Sequence, residues 1–214
     1  MLDTLAASAP DDPIQWRGVA VVDRDVPDTE LERMHALGVR GIRINLVFRG
    51  GISSDDVMAL ADRIAPAGWH VQLLIDVSRF ERLGERLAGL PVPFVVDHMG
   101  HVPAERGPDD PGFQTLAQLL ADGQGWVKLT GPNRTSALPG PPFTDVAPFF
   151  DALRKARPDR CLFGTDWPHV QLPGPMPNDA ELVDEFLHLV PDPAERRTIL
   201  VDNPARLYGF PETL

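Results

Sequence analysis

The sequence predicts an α/β fold of the (β/α)8 TIM-barrel type, N-terminally incomplete, with about six parallel strands. Short runs rich in Val, Ile and Leu alternate with amphipathic stretches of helical length, which is the rhythm of βαβ units. Prolines concentrate in the loops that follow the last two runs. A closed barrel of this type needs eight strands and about 250 residues. Because this chain has 214 residues, we expect the first two barrel strands to be absent.

Six apolar runs predict the strands, at residues 18–22, 41–46, 70–75, 94–98, 126–130 and 161–166. The stretches between and after them predict helices, at residues 28–37, 54–65, 79–88, 114–121, 145–157, 179–190 and 193–207. Glycines stand where helices should stop, at Gly38, Gly68 and Gly123. No linker interrupts the pattern, so we expect residues 1–214 to form one domain.

Composition narrows the range of functions. The formal net charge is −11, which argues against a nucleic-acid partner because phosphate binding depends on clustered Lys and Arg. The lone cysteine, Cys161, lies within an apolar run and indicates a packed thiol in a reducing compartment. No apolar run approaches the ~20 residues that span a bilayer, so we expect a cytoplasmic protein without membrane contact.

Asp166 is the first candidate for chemistry. It ends the sixth apolar run and precedes Trp167, Pro168 and His169. Side chains at the carboxyl ends of barrel strands face the substrate, so Asp166 is placed to act as a general base on water. The alternative is an aspartate that only caps a loop.

Four segments together resemble the amidohydrolase superfamily: GVRGIRIN at 38–45, VVDHMG at 95–100, FGTDWPH at 163–169 and VDNPARLY at 201–208. Within it they are most similar to the 2-pyrone-4,6-dicarboxylate hydrolases, lactonases of aromatic-compound degradation. The resemblance runs from about Arg17 to Tyr208. It implies a small dicarboxylate lactone as the binding partner.

The resemblance also implies roles for individual residues. Asp166 corresponds to the aspartate that deprotonates or orients the hydrolytic water. His98 corresponds to the histidine that polarises or positions the scissile carbonyl. Arg43, Arg49 and Arg134 correspond to the arginines that grip substrate carboxylates.

Strand alternation supports the assignment of Arg43 independently. Ile42 and Ile44 fall on one face of the strand and Arg43 on the other, so Arg43 points into the barrel mouth if the apolar face meets the helices. The alternative is an Arg43 paired with a protein carboxylate, Asp97 or Asp76. By the same alternation we expect Asp97 to point away from His98. Lys128, which alternates with Val127 and Leu129, fits a place in the barrel interior.

The chain differs from the family that it resembles in its candidate metal ligands. It contains no His-x-His pair, and Asp166 with His98 supplies two ligands where catalytic zinc ordinarily takes three. We therefore expect no cofactor; the alternative is a divalent metal such as zinc, if an absent N-terminal part supplies a histidine pair. Leu74 stands where the pyrone-dicarboxylate enzymes carry a tyrosine, which leaves the exact acid open.

Three functions stay open at this point. The leading one is hydrolysis of a carboxylated lactone, although without the histidine pair we expect little or no activity from these 214 residues alone. The second is a metal-dependent amidohydrolase or decarboxylase with ligands in an absent N-terminal part. The third is a catalytically inactive homologue that binds an anion. An unclosed barrel has two strand edges with unpaired backbone groups, so a homodimer through the open seam is also expected.

Overall fold

A computed structural model describes residues 1–8, 14–47, 54–172 and 174–211. Within these residues six parallel strands form one sheet in sequential order. The strands are β1 (Gly18–Ala20), β2 (Val39–Asn45), β3 (His70–Leu74), β4 (Phe94–Val96), β5 (Gly125–Lys128) and β6 (Cys161–Leu162). Each lies within or overlaps one predicted run. The prediction of an α/β fold with six parallel strands is therefore confirmed.

One helix precedes the first strand, and the others connect successive strands or follow the last one. They are α1 (Leu2–Ala7), α2 (Asp28–Ala36), α3 (Ser54–Ile64), α4 (Leu83–Ala88), α5 (Pro111–Ala121), α6 (Pro132–Thr135), α7 (Ala147–Ala156), α8 (Asp179–Leu189), α9 (Pro193–Arg197) and α10 (Asn203–Tyr208). In the part of the chain that the structure describes, none of them is long and apolar enough to cross a membrane.

Several helix boundaries differ from the prediction, and two of these differences have clear local reasons. Helix α5 begins at Pro111, three residues before the expected start, because the Asp110 carboxylate accepts hydrogen bonds from the backbone N–H groups of Gly112 and Phe113. The predicted helix 193–207 is interrupted by a π-turn at Thr198–Asp202. Pro204 follows that turn at the start of α10, where its missing N–H removes a helical hydrogen bond.

The two faces of the sheet bury different side chains. The outward face packs against the helices and belongs to the main core, with Ile42, Ile44 and Leu73 almost fully buried. The inward face carries a separate small cluster of Val95, Trp126 and Leu162. Because side chains alternate along a strand, the residues two positions beyond this cluster also point inward.

The sheet does not close into a full barrel. In the described residues β1 pairs only with β2, and β6 only with β5. The C-terminal helix α10 lies between these two edges: the Asn203 amide donates to Cys161 O at 2.7 Å, next to β6. Beyond the helix, Arg17 donates to Gly209 O at 3.0 Å and lies over the Phe210 ring, next to β1. The predicted open seam is thus present, and the C-terminal segment bridges it.

Candidate active site

A cavity of about 300 Å³ opens at the carboxyl ends of the strands. Its polar lining includes side chains from five successive strands and the loops after them, among them Arg43, Gln72, Asp97, His98, Lys128 and Asp166. We call His98 and Asp166 the rim pair, and Arg43, Gln72, Asp97 and Lys128 the floor cluster. The two groups differ in charge and in the backbone that carries them.

Asp166 is held by an arginine. The chain leaves β6 and turns at Asp166, whose backbone φ is 69°. Arg134 Nε donates to Asp166 Oδ2 at 2.5 Å, and the same guanidinium donates to Val170 O at 3.1 Å. Arg134 is itself only 8% exposed. The second carboxylate oxygen, Oδ1, faces His98 and the cavity.

His98 lies against Asp166 and is uncharged at neutral pH. Its Nδ1 is 2.9 Å from Thr130 Oγ1, and its Nε2 is 3.8 Å from Asp166 Oδ1. Burial lowers the pKa of His98 to about 4, although the charges of Asp97 and Asp166 act in the opposite direction. A distance of 3.8 Å is too long for a direct hydrogen bond and suits a small oxygen that contacts both groups.

The structure corrects the expected orientation of Asp97. We expected strand alternation to separate Asp97 from His98, but both side chains line the cavity. Alternation from inward-facing Val95 places Asp97 inside. At His98 the backbone turns to a φ of 51°, which ends the extended conformation and brings the imidazole inward as well. The error lay in extending the strand through residue 98.

The floor cluster joins one carboxylate to two cations. Asp97 Oδ2 lies 3.1 Å from Arg43 Nη2, and Asp97 Oδ1 lies 3.3 Å from Lys128 Nζ. Gln72 connects the same groups, since its Nε2 donates to Asp97 Oδ2 at 3.0 Å and its Oε1 accepts from Lys128 at 2.8 Å. Burial alone raises the pKa of Asp97, but the charges of Lys128 and Arg43 outweigh it and hold this pKa below its usual range.

The sequence-predicted site residues fall into three groups. Asp166, His98 and Arg43 meet at the cavity. Arg134 contacts Asp166 instead of lining that cavity. Arg49 lies outside the described residues. The catalytic and substrate-binding roles of all five stay predictions.

Sequence reasoning missed three residues of the site. Gln72 lies on β3, Thr130 lies two positions beyond Lys128, and Tyr208 reaches the cavity from α10. Gln72 and Thr130 were detectable, since each lies on the inward face by alternation from a neighbouring strand position. Tyr208 packs edge-on against His70, with ring centroids 5.2 Å apart, and no local pattern predicts a contact between residues so distant in sequence.

The described residues do not fit a catalytic zinc ion. Among them, no three His, Cys, Asp or Glu side chains come close enough together to hold a metal. One oxygen of Asp166 already accepts a hydrogen bond from Arg134. A zinc site of three protein ligands plus water is therefore not formed by this part of the chain.

Comparison with known proteins places this site in a family context. The amidohydrolase family pattern matches residues 2–210. Over 206 residues the chain is 40% identical to the 2-pyrone-4,6-dicarboxylate hydrolase of Comamonas testosteroni, covering 92% of this chain and 67% of that protein. It is 38% identical to a 4-sulfomuconolactone hydrolase of Hydrogenophaga intermedia, covering 91% of this chain and 66% of that protein. The chain thus spans about two thirds of these relatives.

A solved structure agrees with these matches. It is that of a candidate 2-pyrone-4,6-dicarboxylic acid hydrolase from Pseudomonas putida, with a TM-score of 0.84 and 31% identity. The match covers 99% of this chain and 77% of that protein. Together these findings confirm the resemblance to the amidohydrolases and to their lactone-opening branch.

Proposed function

This chain belongs to the amidohydrolase family, and from that premise we propose that its cavity opens a small carboxylated lactone similar to 2-pyrone-4,6-dicarboxylate. The observation that carries the proposal is the rim pair: a carboxylate beside an uncharged imidazole, above a cluster with excess positive charge. The relatives, whose names specify hydrolysis of charged lactones, support the same chemistry.

In this mechanism Asp166 is the general base. A water oxygen next to Asp166 Oδ1 attacks the lactone carbonyl carbon, and its proton passes to the carboxylate. The tetrahedral intermediate then breaks its bond to the ring oxygen, which leaves as an enolate and takes up that proton. Arg134, which holds the other oxygen of Asp166 at 2.5 Å, fixes the direction in which the base points.

His98 supports the carbonyl oxygen as negative charge develops on it. Its low pKa keeps the ring uncharged at neutral pH. In this mechanism the Thr130 hydroxyl, 2.9 Å from Nδ1, donates to that nitrogen, which puts the ring proton on Nε2, the atom on the side of Asp166. An N–H donor aimed at the developing oxyanion stabilises the transition state more than the ground state.

Arg43 supplies the first anchor for the substrate. Its side chain is 33% exposed and lines the cavity, with one Nη atom against Asp97. In this proposal the remaining N–H groups of the guanidinium bind a substrate carboxylate through charge-assisted hydrogen bonds. Arg49, which lies outside the described residues, and Arg134 complete the predicted set.

We propose that this hydrolysis proceeds without a metal cofactor. The proposal is supported by the surroundings of Asp166, one oxygen of which already accepts a hydrogen bond from Arg134. Exhaustive dialysis against a chelator should leave the rate of ring opening unchanged. Loss of the rate, with recovery on addition of zinc or manganese, favours the metal-dependent alternative.

The test of the proposed function is a single-turnover assay with protein in excess over 2-pyrone-4,6-dicarboxylate. This format detects ring opening even at the little activity expected from these 214 residues alone. We expect ring opening faster than in buffer, and a much smaller effect on neutral 2-pyrone. If the dicarboxylate binds by calorimetry but stays intact, the chain is an anion-binding homologue and the proposal is wrong.

We also propose that two copies associate through the open seam. Within the described residues β1 and β6 each pair on one side only. The C-terminal segment bridges part of the seam, and strand-edge groups that it leaves unpaired favour association. Light scattering coupled to size exclusion should give twice the 23.5 kDa mass of the chain. A mass of one chain at tens of micromolar protein contradicts this.

A further inference from the structure

The floor cluster lies deeper in the cavity than the rim pair. Lys128 and Thr130 are two positions apart, so their side chains point to the same side and are separated by about 6–7 Å along the chain. Backbone pairing to β6 continues between them, since Leu129 N donates to Leu162 O at 2.7 Å. Because Thr130 contacts His98, Lys128 lies one layer below His98.

The floor cluster has excess positive charge. A single carboxylate, that of Asp97, is shared by Arg43 at 3.1 Å and Lys128 at 3.3 Å. Asp97 is 2% exposed, whereas Arg43 and Lys128 are 33% and 23% exposed at their side chains. The carboxylate is thus enclosed, and both cations border the cavity. Within the floor cluster, two cations thus share one carboxylate, which leaves one excess positive charge beside a space of about 300 Å³.

Lys128 also keeps hydrogen-bond donors for a ligand. Its ammonium carries three N–H groups, and one donates to Gln72 Oε1 at 2.8 Å. Its contact with Asp97 Oδ1 is an ion pair that lacks hydrogen-bond geometry, since this oxygen accepts no hydrogen bond from the described residues. A ligand oxygen near Lys128 can therefore be bound without displacing Gln72.

Gln72 and Asp97 fix where the two cations point. The amide of Gln72 donates to Asp97 and accepts from Lys128, so rotating it by 180° breaks both hydrogen bonds. Asp97 in turn contacts Arg43 and Lys128 through different oxygens. The two cations are therefore held apart by one carboxylate, in an arrangement that suits the binding of an anion.

We propose that Lys128 is a substrate-binding residue, and that it and Arg43 together hold one carboxylate of the substrate at the cavity floor. Gln72 and Asp97 are positioning residues for this subsite. The identity of the ligand rests on the proposed function, but the subsite itself is defined by the floor cluster. The competing role for Lys128 is a purely structural one, as the partner of Asp97.

The chain offers an internal control for a direct test. It contains two lysines, Lys128 and Lys155, and Lys155 is 70% exposed beside Asp151. NMR of protein labelled with ¹³C at lysine Cε therefore gives two signals, which the variant Lys155→Met assigns. The titrations use the Asp166→Asn background so that 2-pyrone-4,6-dicarboxylate stays intact. We expect the dicarboxylate to shift the Lys128 signal and leave the Lys155 signal in place, and neutral 2-pyrone to shift neither.

Affinity measurements by calorimetry complete the test. Lys128→Met should weaken binding of the dicarboxylate about tenfold to a hundredfold, the loss expected for one charge-assisted hydrogen bond. Lys128→Arg should restore most of the affinity, and Lys155→Met should not change it. Binding of neutral 2-pyrone should be the same in every variant, which separates loss of the subsite from loss of the fold.

The outcomes separate this inference from the proposed function. If the dicarboxylate leaves the Lys128 signal unmoved, or Lys128→Met binds it as tightly as the parent, the subsite is wrong even if the lactone is hydrolysed. If the signal shifts and affinity falls while the native chain never opens the lactone, the subsite holds and the proposed hydrolysis is wrong. Absence of dicarboxylate binding overturns the subsite.

Discussion

The rim pair and the floor cluster of the cavity are built in opposite ways. The floor residues Arg43, Gln72 and Lys128 lie on regular strands and are placed by simple alternation. The rim residues His98 and Asp166 lie where the backbone leaves the extended conformation, with φ values of 51° and 69°. The floor is charged and interlocked, whereas the rim combines an uncharged ring with a carboxylate. This difference fits the proposal that the floor cluster binds the substrate and the rim pair carries out the reaction.

The largest effect should be on the rate of ring opening and should come from a substitution in the rim pair. Asp166→Asn keeps the shape of the side chain but cannot accept the proton of water. We expect single-turnover ring opening of 2-pyrone-4,6-dicarboxylate to fall by about 10²–10⁴-fold. Binding should not weaken, because the substitution removes a negative charge from the site. A variant that hydrolyses as fast as the native chain assigns Asp166 to structure alone.

The next largest effect should be on the free energy of unfolding and should come from a substitution in the floor cluster. Asp97→Ala leaves two partly exposed cations without their shared buried carboxylate, a loss that should be at most the about 3–5 kcal/mol of a fully buried ion pair. Asp166→Asn should cost less, because the amide oxygen can still accept the hydrogen bond from Arg134. Urea denaturation of both variants measures the two losses. Equal losses contradict the assignment of distinct roles to the floor and the rim.

The pH dependence of the free energy of unfolding should involve both the rim pair, through His98, and the floor cluster, through Asp97. Burial lowers the pKa values of His70 and His98 to about 4, from an ordinary value of 6.5. Between these values the unfolded chain binds protons that the folded chain excludes, so stability is full above pH 6.5 and falls as the pH drops towards 4. Each histidine contributes up to about 1.4 kcal/mol per pH unit in this window.

A substitution separates this effect from general acid unfolding. His70→Met should reduce the slope between pH 6.5 and 4 without abolishing it, because burial also lowers the pKa values of His98 and His101. Asp97 acts at lower pH. Its pKa is lower in the folded protein than the value of about 3.9 in the unfolded chain, so its ionised carboxylate stabilises the fold above about pH 3.9. This stabilisation is lost as the pH falls below that value. A slope that His70→Met does not alter contradicts the role of burial.

The smallest effect should come from the partner of His98. Thr130→Val removes the hydroxyl 2.9 Å from Nδ1 and leaves a buried nitrogen unpaired, at a cost of about 1 kcal/mol in unfolding free energy. Ring opening should slow by about tenfold, because the tautomer of His98 is no longer fixed. Thr130→Ser should restore both properties. If valine is tolerated without loss of rate, Thr130 does not orient the imidazole.

The same contrast explains what the sequence could predict. Apolar runs located all six strands, and alternation along residues 41–46 placed Arg43 in the cavity, since strand periodicity is a local property. The side chain of Asp97 was predicted on the wrong face of the sheet, because the positive φ at His98 ends the alternation of the strand. The pairs Arg134–Asp166 and His98–Thr130 each join residues 32 positions apart, and a pattern of neighbouring residues does not contain such contacts.

The most direct test of the central claim follows the oxygen that enters the product. A single turnover of 2-pyrone-4,6-dicarboxylate is run in H₂¹⁸O with protein in excess, and the product is analysed by mass spectrometry. If Asp166 activates water, the ring-opened acid carries one ¹⁸O atom in its new carboxylate and the protein stays unlabelled. An unlabelled product together with ¹⁸O in the Asp166 carboxylate shows that Asp166 attacks the carbonyl itself, which contradicts its role as a general base.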